Sequence, residues 1–165
     1  MIRPAIFFKD ELTKAFGSIL YTQKHFYYEG GIDNYEQEIT EEADKFQFAI
    51  LDHEQLVGYI SFRVDWYCSC AYNFGLISFV DKPSKAMVSA ILTVIKMIDG
   101  FNLHRIDFRC IWGNPAERGY DGIVEKFHGK YNLRKFAFID DTRDRQGYYH
   151  DTIVYEMIRK SKTSD

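Results

Sequence analysis

Apolar and polar residues alternate through the middle of the chain. Phe46, Phe48 and Ile50 recur at every second position and stop at the polar turn Asp52-His53-Glu54-Gln55. Leu56, Ile60, Phe62, Val64 and Trp66 share one face of a second run, and Tyr72 to Val80 forms a third. Period-two runs with short links predict an antiparallel meander. On either side the period changes. Ile2 to Phe8 reads as a first strand. Asp10 is placed to cap a helix from Glu11, with Leu12, Ala15, Phe16, Ile19, Leu20 and Phe26 at helical spacing and Gly30-Gly31 as its stop. Lys82-Pro83-Ser84 opens a helix that ends at Asp99-Gly100. Its polar residues Lys85, Ser89, Thr93 and Lys96 form one narrow stripe, so most of its circumference should be buried against a sheet. A strand over Leu103–Ile111, a helix from Pro115, and strands near Leu133–Ile139 and Tyr148–Ile158 complete the chain. Strand, helix, strand, helix in the second half implies at least one parallel pair. The order predicts an α+β fold: a mixed, mostly antiparallel sheet of about seven strands with helices on both faces.

Length and composition narrow the reading. The chain has 165 residues, 46 % apolar and 27 % charged, as expected of one folded domain with a frayed tail at 161–165. The net charge of −3 gives no support to a nucleic-acid or anionic-membrane partner. The longest apolar stretch, Ala86 to Ile95, is far short of the ~20 residues that span a bilayer. Aromatic residues, at 17 %, are unusually frequent and suit aromatic-rich sheet faces, whose exposed edges would favour a homodimer. The three cysteines, Cys68, Cys70 and Cys110, are too few for a disulfide scaffold and show no zinc-ligand spacing. They are expected to be reduced thiols of a cytoplasmic protein, with Cys68 and Cys70 on one strand face. Trp66 and Trp112 are read as packing residues near strand ends, and His53 as a solvated turn residue. Glu36, Glu38, Glu41 and Glu42, within the acidic stretch Asp33–Asp44, form either a solvated face or a lip that attracts a cationic substrate.

Three short motifs stand in that order of elements. Arg105-Ile106-Asp107-Phe108-Arg109 leads to Asn114. The following helix contains Val124-Glu125-Lys126-Phe127-His128-Gly129, and the last strand begins Gly147-Tyr148-Tyr149-His150-Asp151-Thr152-Ile153-Val154-Tyr155. Together with the element order over nearly the whole chain, they resemble the GNAT superfamily of N-acetyltransferases. The nearest branch is the one that acetylates ribosomal-protein N-termini and polyamines. The resemblance implies acetyl-CoA as co-substrate and a primary amine as acceptor, either a small cationic amine or a peptide N-terminus. It implies that acetyl-CoA follows the strand end at Phe79 and Val80. Its pyrophosphate would meet the helix N-terminus at Ser84, Lys85, Ala86, Met87 and Val88, where free N–H groups and the helix dipole favour an anion. Asn114 is the matching helix-capping asparagine with a contact to the pantetheine. Asp107 corresponds to a general base. The family's tyrosine acid falls where this chain has Val124, and Tyr120, one turn earlier, takes its place.

Two departures bear on that function. The segment Asp81-Lys82-Pro83-Ser84-Lys85-Ala86-Met87 has none of the glycines that let backbone approach a phosphate, and Pro83 removes one donor. The alternative reading is therefore a binding or interaction module that keeps the fold and has lost acetyl-CoA.

Overall fold

The hydrophobic alternation builds one seven-stranded sheet, seen in a computed structural model that describes residues 1–19, 38–81, 84–143 and 147–160. The elements in chain order are β1 (Ile2–Pro4), a 3-10 turn (Ala5–Phe8), α1 (Lys9–Ile19), β2 (Lys45–Asp52), β3 (Gln55–Asp65) and β4 (Cys70–Ser78). Then come α2 (Lys85–Gly100), β5 (Arg105–Ile111), α3 (Ala116–Phe127), β6 (Tyr131–Arg143) and β7 (Tyr149–Arg159). The strand order is β1-β2-β3-β4-β5-β7-β6. All neighbours are antiparallel except β4 and β5. This is the mixed sheet that the change of period predicts, with α1 on one face and α2 and α3 on the other.

Each face has its own core. Phe62, Val64, Ile106, Phe108, Tyr155 and Met157 pack beneath Ala90, Val94, Ile95 and Ile98 of α2 and Ile123 of α3. On the opposite face Ala49 and Tyr59 pack under Ala5, Leu12 and Phe16. The start of α2 lies very close to the sheet. A Cβ on Gly58 of β3 would stand 2.5 Å from Met87 Sδ and 2.6 Å from Ile77 O. Glycine at 58 is thus what lets this helix N-terminus sit down on β3 and β4.

Several boundaries differ from the sequence expectation. The first strand ends at Pro4, because the chain turns there to bury Ala5. The first helix begins at Lys9, so Asp10 lies in its first turn and is not its cap. Phe26 and Gly30-Gly31 lie outside the described residues. The third meander strand runs from Cys70 to Ser78 and leaves Phe79 and Val80 beyond its end. Cys68 sits in the turn before it and is exposed, so only Cys70 of that pair is in the strand. Val88 is 55 % exposed, which makes the buried side of α2 narrower than its polar stripe suggests. Trp112 is 68 % exposed and does not serve as a packing residue. Trp66, 54 % exposed, leans its edge on Phe46 and Phe101.

Of the acidic stretch, Glu42 and Asp44 are paired with Arg63, each at 2.8 Å. Glu36 lies outside the described residues.

Candidate active site

The parallel pair is the feature that opens a site. β4 and β5 are in register only at Cys70↔Arg105 and Ala71↔Ile106. Beyond those two pairs the strands part, while β4 stays paired with β3 and β5 with β7 on their outer edges. A β-bulge sharpens the divergence. Ser61 pairs with Gly75 and Arg63 with Tyr72, so Phe62 alone is opposed by both Asn73 and Phe74. The extra residue bends β4, and Asn73 takes a positive φ of 53°. The backbone groups that β4 turns toward β5 past Ala71 then have no strand partner. The gap widens into a cleft of about 1060 Å³ lined by Tyr72–Ile77, Arg105, Asp107–Ile111, Asn114, Tyr120 and Asp141 among others.

Three of the residues singled out from sequence meet in this cleft: Asp107, Asn114 and Tyr120. Asp107 stands on β5 beside Arg105, whose Nη2 donates to its Oδ2 at 2.5 Å. The Cys70 thiol points at the same oxygen from 3.8 Å. Its other oxygen, Oδ1, is buried and has no hydrogen-bond partner in the protein. Across the strand pair lies Glu156, itself ion-paired with Arg134 at 3.2 Å. Burial raises the Asp107 pKa from its ordinary value; Arg105 opposes the shift and Glu156 adds to it. Burial likewise raises the Cys70 thiol.

Tyr120 projects from α3 between Phe108 and Tyr155, with ring centroids 4.8 and 5.7 Å away. It is 6 % exposed, and burial pushes its pKa up, so the phenol keeps its proton at neutral pH. Beside it, burial pushes the Cys110 thiol up to about 12. Tyr155 is held apart by other partners: its hydroxyl donates to Asp121 at 2.9 Å, and Lys135 bonds that same carboxylate. Asn114 accepts the N–H of Ala116 on Oδ1 at 2.9 Å, which satisfies a free donor of the α3 start.

The residues assigned to the pyrophosphate lie elsewhere. Phe79, Val80, Ser84, Lys85, Ala86, Met87 and Val88 are not on the cleft wall, which ends on β4 at Ile77. Phe79 packs edge-on against Phe16 on the α1 side. Ser84 caps α2 by accepting the N–H of Met87 at 3.3 Å, so this donor is engaged within the helix. Lys85 is exposed, and Lys82 and Pro83 lie outside the described residues.

The grouping of Cys70 with Asp107, and of both with Arg105 and Glu156, was not read from the sequence. Period-two spacing places Arg105 and Asp107 on one face, but only the strand order brings β4 and β7 to them. Among the described residues, no cluster of His, Cys, Asp and Glu is placed to hold a metal ion, and no helix is long and apolar enough to cross a membrane.

A mixed sheet whose one parallel pair splays apart mid-strand, with a helix following each of the two strands, defines the fold of the GNAT acetyltransferases. Solved structures with this fold match the chain, some nearly end to end and others over about seven-tenths of it. A probable acetyltransferase of the GNAT family from Chromobacterium violaceum is similar at TM-score 0.66 and 16 % identity, over 95 % of this chain and 86 % of that one. A ribosomal-protein-alanine N-acetyltransferase from Brucella melitensis is similar at TM-score 0.67 and 11 % identity, over 96 % and 99 %. A ribosomal L7/L12 alpha-N-protein acetyltransferase in complex with coenzyme A is similar at TM-score 0.56 and 16 % identity, over 72 % of this chain and 64 % of that one. No protein-family model matches the sequence, and no curated protein does.

Proposed function

We propose that the protein is an acetyl-CoA-dependent N-acetyltransferase acting on a primary amine. The observation that carries this reading is the gap between β4 and β5, with Asp107 and Tyr120 both on its wall. Amine acetylation has three requirements. The ammonium must lose a proton, the carbonyl oxygen must be stabilised as the amine attacks the thioester carbon, and the departing thiolate must gain a proton. Asp107, directly or through a water it holds, takes the amine proton, and its raised pKa makes it a better base than an ordinary carboxylate. The unpaired edge of β4 is a source of N–H donors for the oxyanion. Tyr120 remains protonated and supplies the thiolate.

The chain fits the co-substrate in two ways. The cleft is flanked by the unpaired backbone of β4, as an extended pantetheine arm requires. α2 begins soon after β4 ends, and the partial positive charge at its N-terminus, together with the exposed Lys85, favours the pyrophosphate there. Phe79, Val80, Ser84 to Val88 and Asn114 are the residues assigned to hold it. A soluble cytoplasmic location accords with reduced thiols. The similar structures support the reaction class: one is a ribosomal-protein-alanine N-acetyltransferase, another an N-acetyltransferase that carries coenzyme A.

One observation favours the non-catalytic alternative. The loop before α2 lacks glycine, and Ser84 already occupies the Met87 N–H. Thermal unfolding with and without acetyl-CoA separates the two readings. At 100 times its dissociation constant acetyl-CoA should stabilise the protein by ~2.7 kcal/mol. A thiol reagent should then detect CoA released in the presence of an amine panel. No shift at millimolar acetyl-CoA, and no released thiol, would leave the binding module.

A further inference from the structure

We propose that the acceptor carries a carboxylate next to its amine, as a free α-amino acid does, and that Arg109 binds that carboxylate while Asp107 faces the amine. The inference rests on the acetyltransferase reading and names its substrate class. Arg105, Asp107 and Arg109 alternate along β5 and so share one sheet face, and all three line the cleft. Their charges are committed differently. Arg105 is held by Asp107 at 2.5 Å, with Glu156 at 3.8 Å. Arg109 has no carboxylate within ion-pair reach among the described residues. Its guanidinium lies over the Phe138 ring, 5.6 Å from the centroid, and its cross-strand neighbour is the buried Val154.

An arginine laid on an apolar wall keeps its planar fork of N–H donors open to a ligand, and that fork matches a carboxylate in two parallel hydrogen bonds. The remaining charges on the cleft wall fit the same picture. Asp65 is engaged with the Cys68 N–H at 2.8 Å. Asp141, on β6, adds negative charge that favours an ammonium. Among the described residues the cleft thus offers carboxylates for the amine and one guanidinium without an ion-pair partner, two residues from Asp107, ~6.6 Å along the strand. A ligand whose two charges share one carbon answers both. A polyamine would set like charge against Arg109. A peptide N-terminus presents an amide where the carboxylate should be and leaves the guanidinium unpaired.

The full chain is assayed with acetyl-CoA against the L-amino acids, their C-terminal amides and spermidine, with CoA release as the readout. Free acids should exceed their own amides in kcat/KM by roughly tenfold or more, the effect of a charge-assisted pair. Arg109→Gln should collapse that ratio toward one, and Arg109→Lys should restore part of it, with melting temperatures checking that both variants fold. Amides or spermidine used as well as the acids, or an unchanged ratio in Arg109→Gln, would overturn the proposal. If no amine is acetylated and acetyl-CoA gives no thermal shift, the acetyltransferase reading has failed. Arg109 is then judged by calorimetric titration of the same acids and amides. Acid-selective binding lost in Arg109→Gln supports the carboxylate site, and binding without acid preference, or none, rejects it.

Discussion

Asp107 combines two demands that conflict, and the conflict has a sign that can be measured. Burial is the largest influence on it and raises its pKa, with Arg105 acting against that shift. The native state therefore holds a proton at Asp107 more tightly than the unfolded chain does. Stability that is fully present below the ordinary carboxylate pKa falls as pH rises through the raised value. Asp107→Asn removes this loss, so the variant should melt at a higher temperature than wild type at pH 7 and show no advantage in strong acid. The same variant should lose the acid limb of the pH–rate profile and most turnover. A lower melting temperature at neutral pH would show that the pairing with Arg105 outweighs burial. Tyr120 is a simpler case. Its ring is fixed by Phe108 and Tyr155, while its hydroxyl bonds to no described residue. Tyr120→Phe should keep the fold and acetyl-CoA affinity yet lower kcat, by ~10²-fold or more if the phenol is the acid. Unaltered kcat would remove it from that role.

Between elements, the far end of α2 is anchored by one carboxylate. Asp99 accepts from Lys130 Nζ at 2.7 Å and from the Tyr131 hydroxyl at 2.9 Å, and is ion-paired with Arg159 Nη2 at 2.9 Å. Arg159 also donates to the carbonyls of Asp99 and Leu103. One side chain thus ties the α2 C-terminus to the start of β6 and the end of β7, and holds the sheet half that carries Asp107 at a set distance from the helix. The Lys130 hydrogen bond, followed by Tyr131 and the nearby charges, lowers the Asp99 pKa. The stability it contributes is present above the ordinary carboxylate pKa and is lost as pH falls through the lowered one. Asp99→Ala leaves the buried Tyr131 hydroxyl without that acceptor and should cost about 2 kcal/mol at pH 7. Denaturant titration should show the cost shrinking in acid. An equal cost at pH 7 and in strong acid would mean that packing, not the charge, is lost.

For the molecule as a whole, two antiparallel half-sheets meet through two residue pairs of β4 and β5. β5 and β7 stay in register from Arg105↔Ile158 to Ile111↔Thr152, and β2 and β3 from Lys45↔Arg63 to Ile50↔Gly58. The seam is therefore the weakest line in the sheet, and it is also where the proposed co-substrate lies. Amide hydrogen exchange should be faster at gap-facing positions of β4 beyond Ala71 than in β3 or β7. Acetyl-CoA should slow those amides selectively, because a bound arm would fill the place of a missing strand partner. Uniform protection along β4 without ligand would contradict the open gap. Trp112, just after β5, Ile139 in β6, and Tyr148 and Tyr149 at the start of β7 are all strongly exposed. These exposed apolar side chains are candidates for the expected pairing of two copies.

The local pattern decided which elements exist. Period two built β2, β3 and β4; the long apolar run built α2; and Gly100 falls at its end, as read from the chain. These outcomes depend on neighbours within a few residues, which is the range that periodicity and capping describe. The resemblance to GNAT acetyltransferases rested on the order of those elements and holds at the level of fold. Tertiary structure decided everything that depends on strands meeting across the sheet. It separated Cys68 from Cys70, drew Tyr120 to the same cleft as Asp107, and left Arg109 without a carboxylate although it stands four residues from a paired arginine of the same strand. It also kept Ser84 to Val88 off the cleft wall. The physical reason is that pairing and desolvation are set by partners far apart in sequence: Arg105 and Glu156 are separated by all of α3 and β6 and most of β7, yet both bear on one carboxyl group.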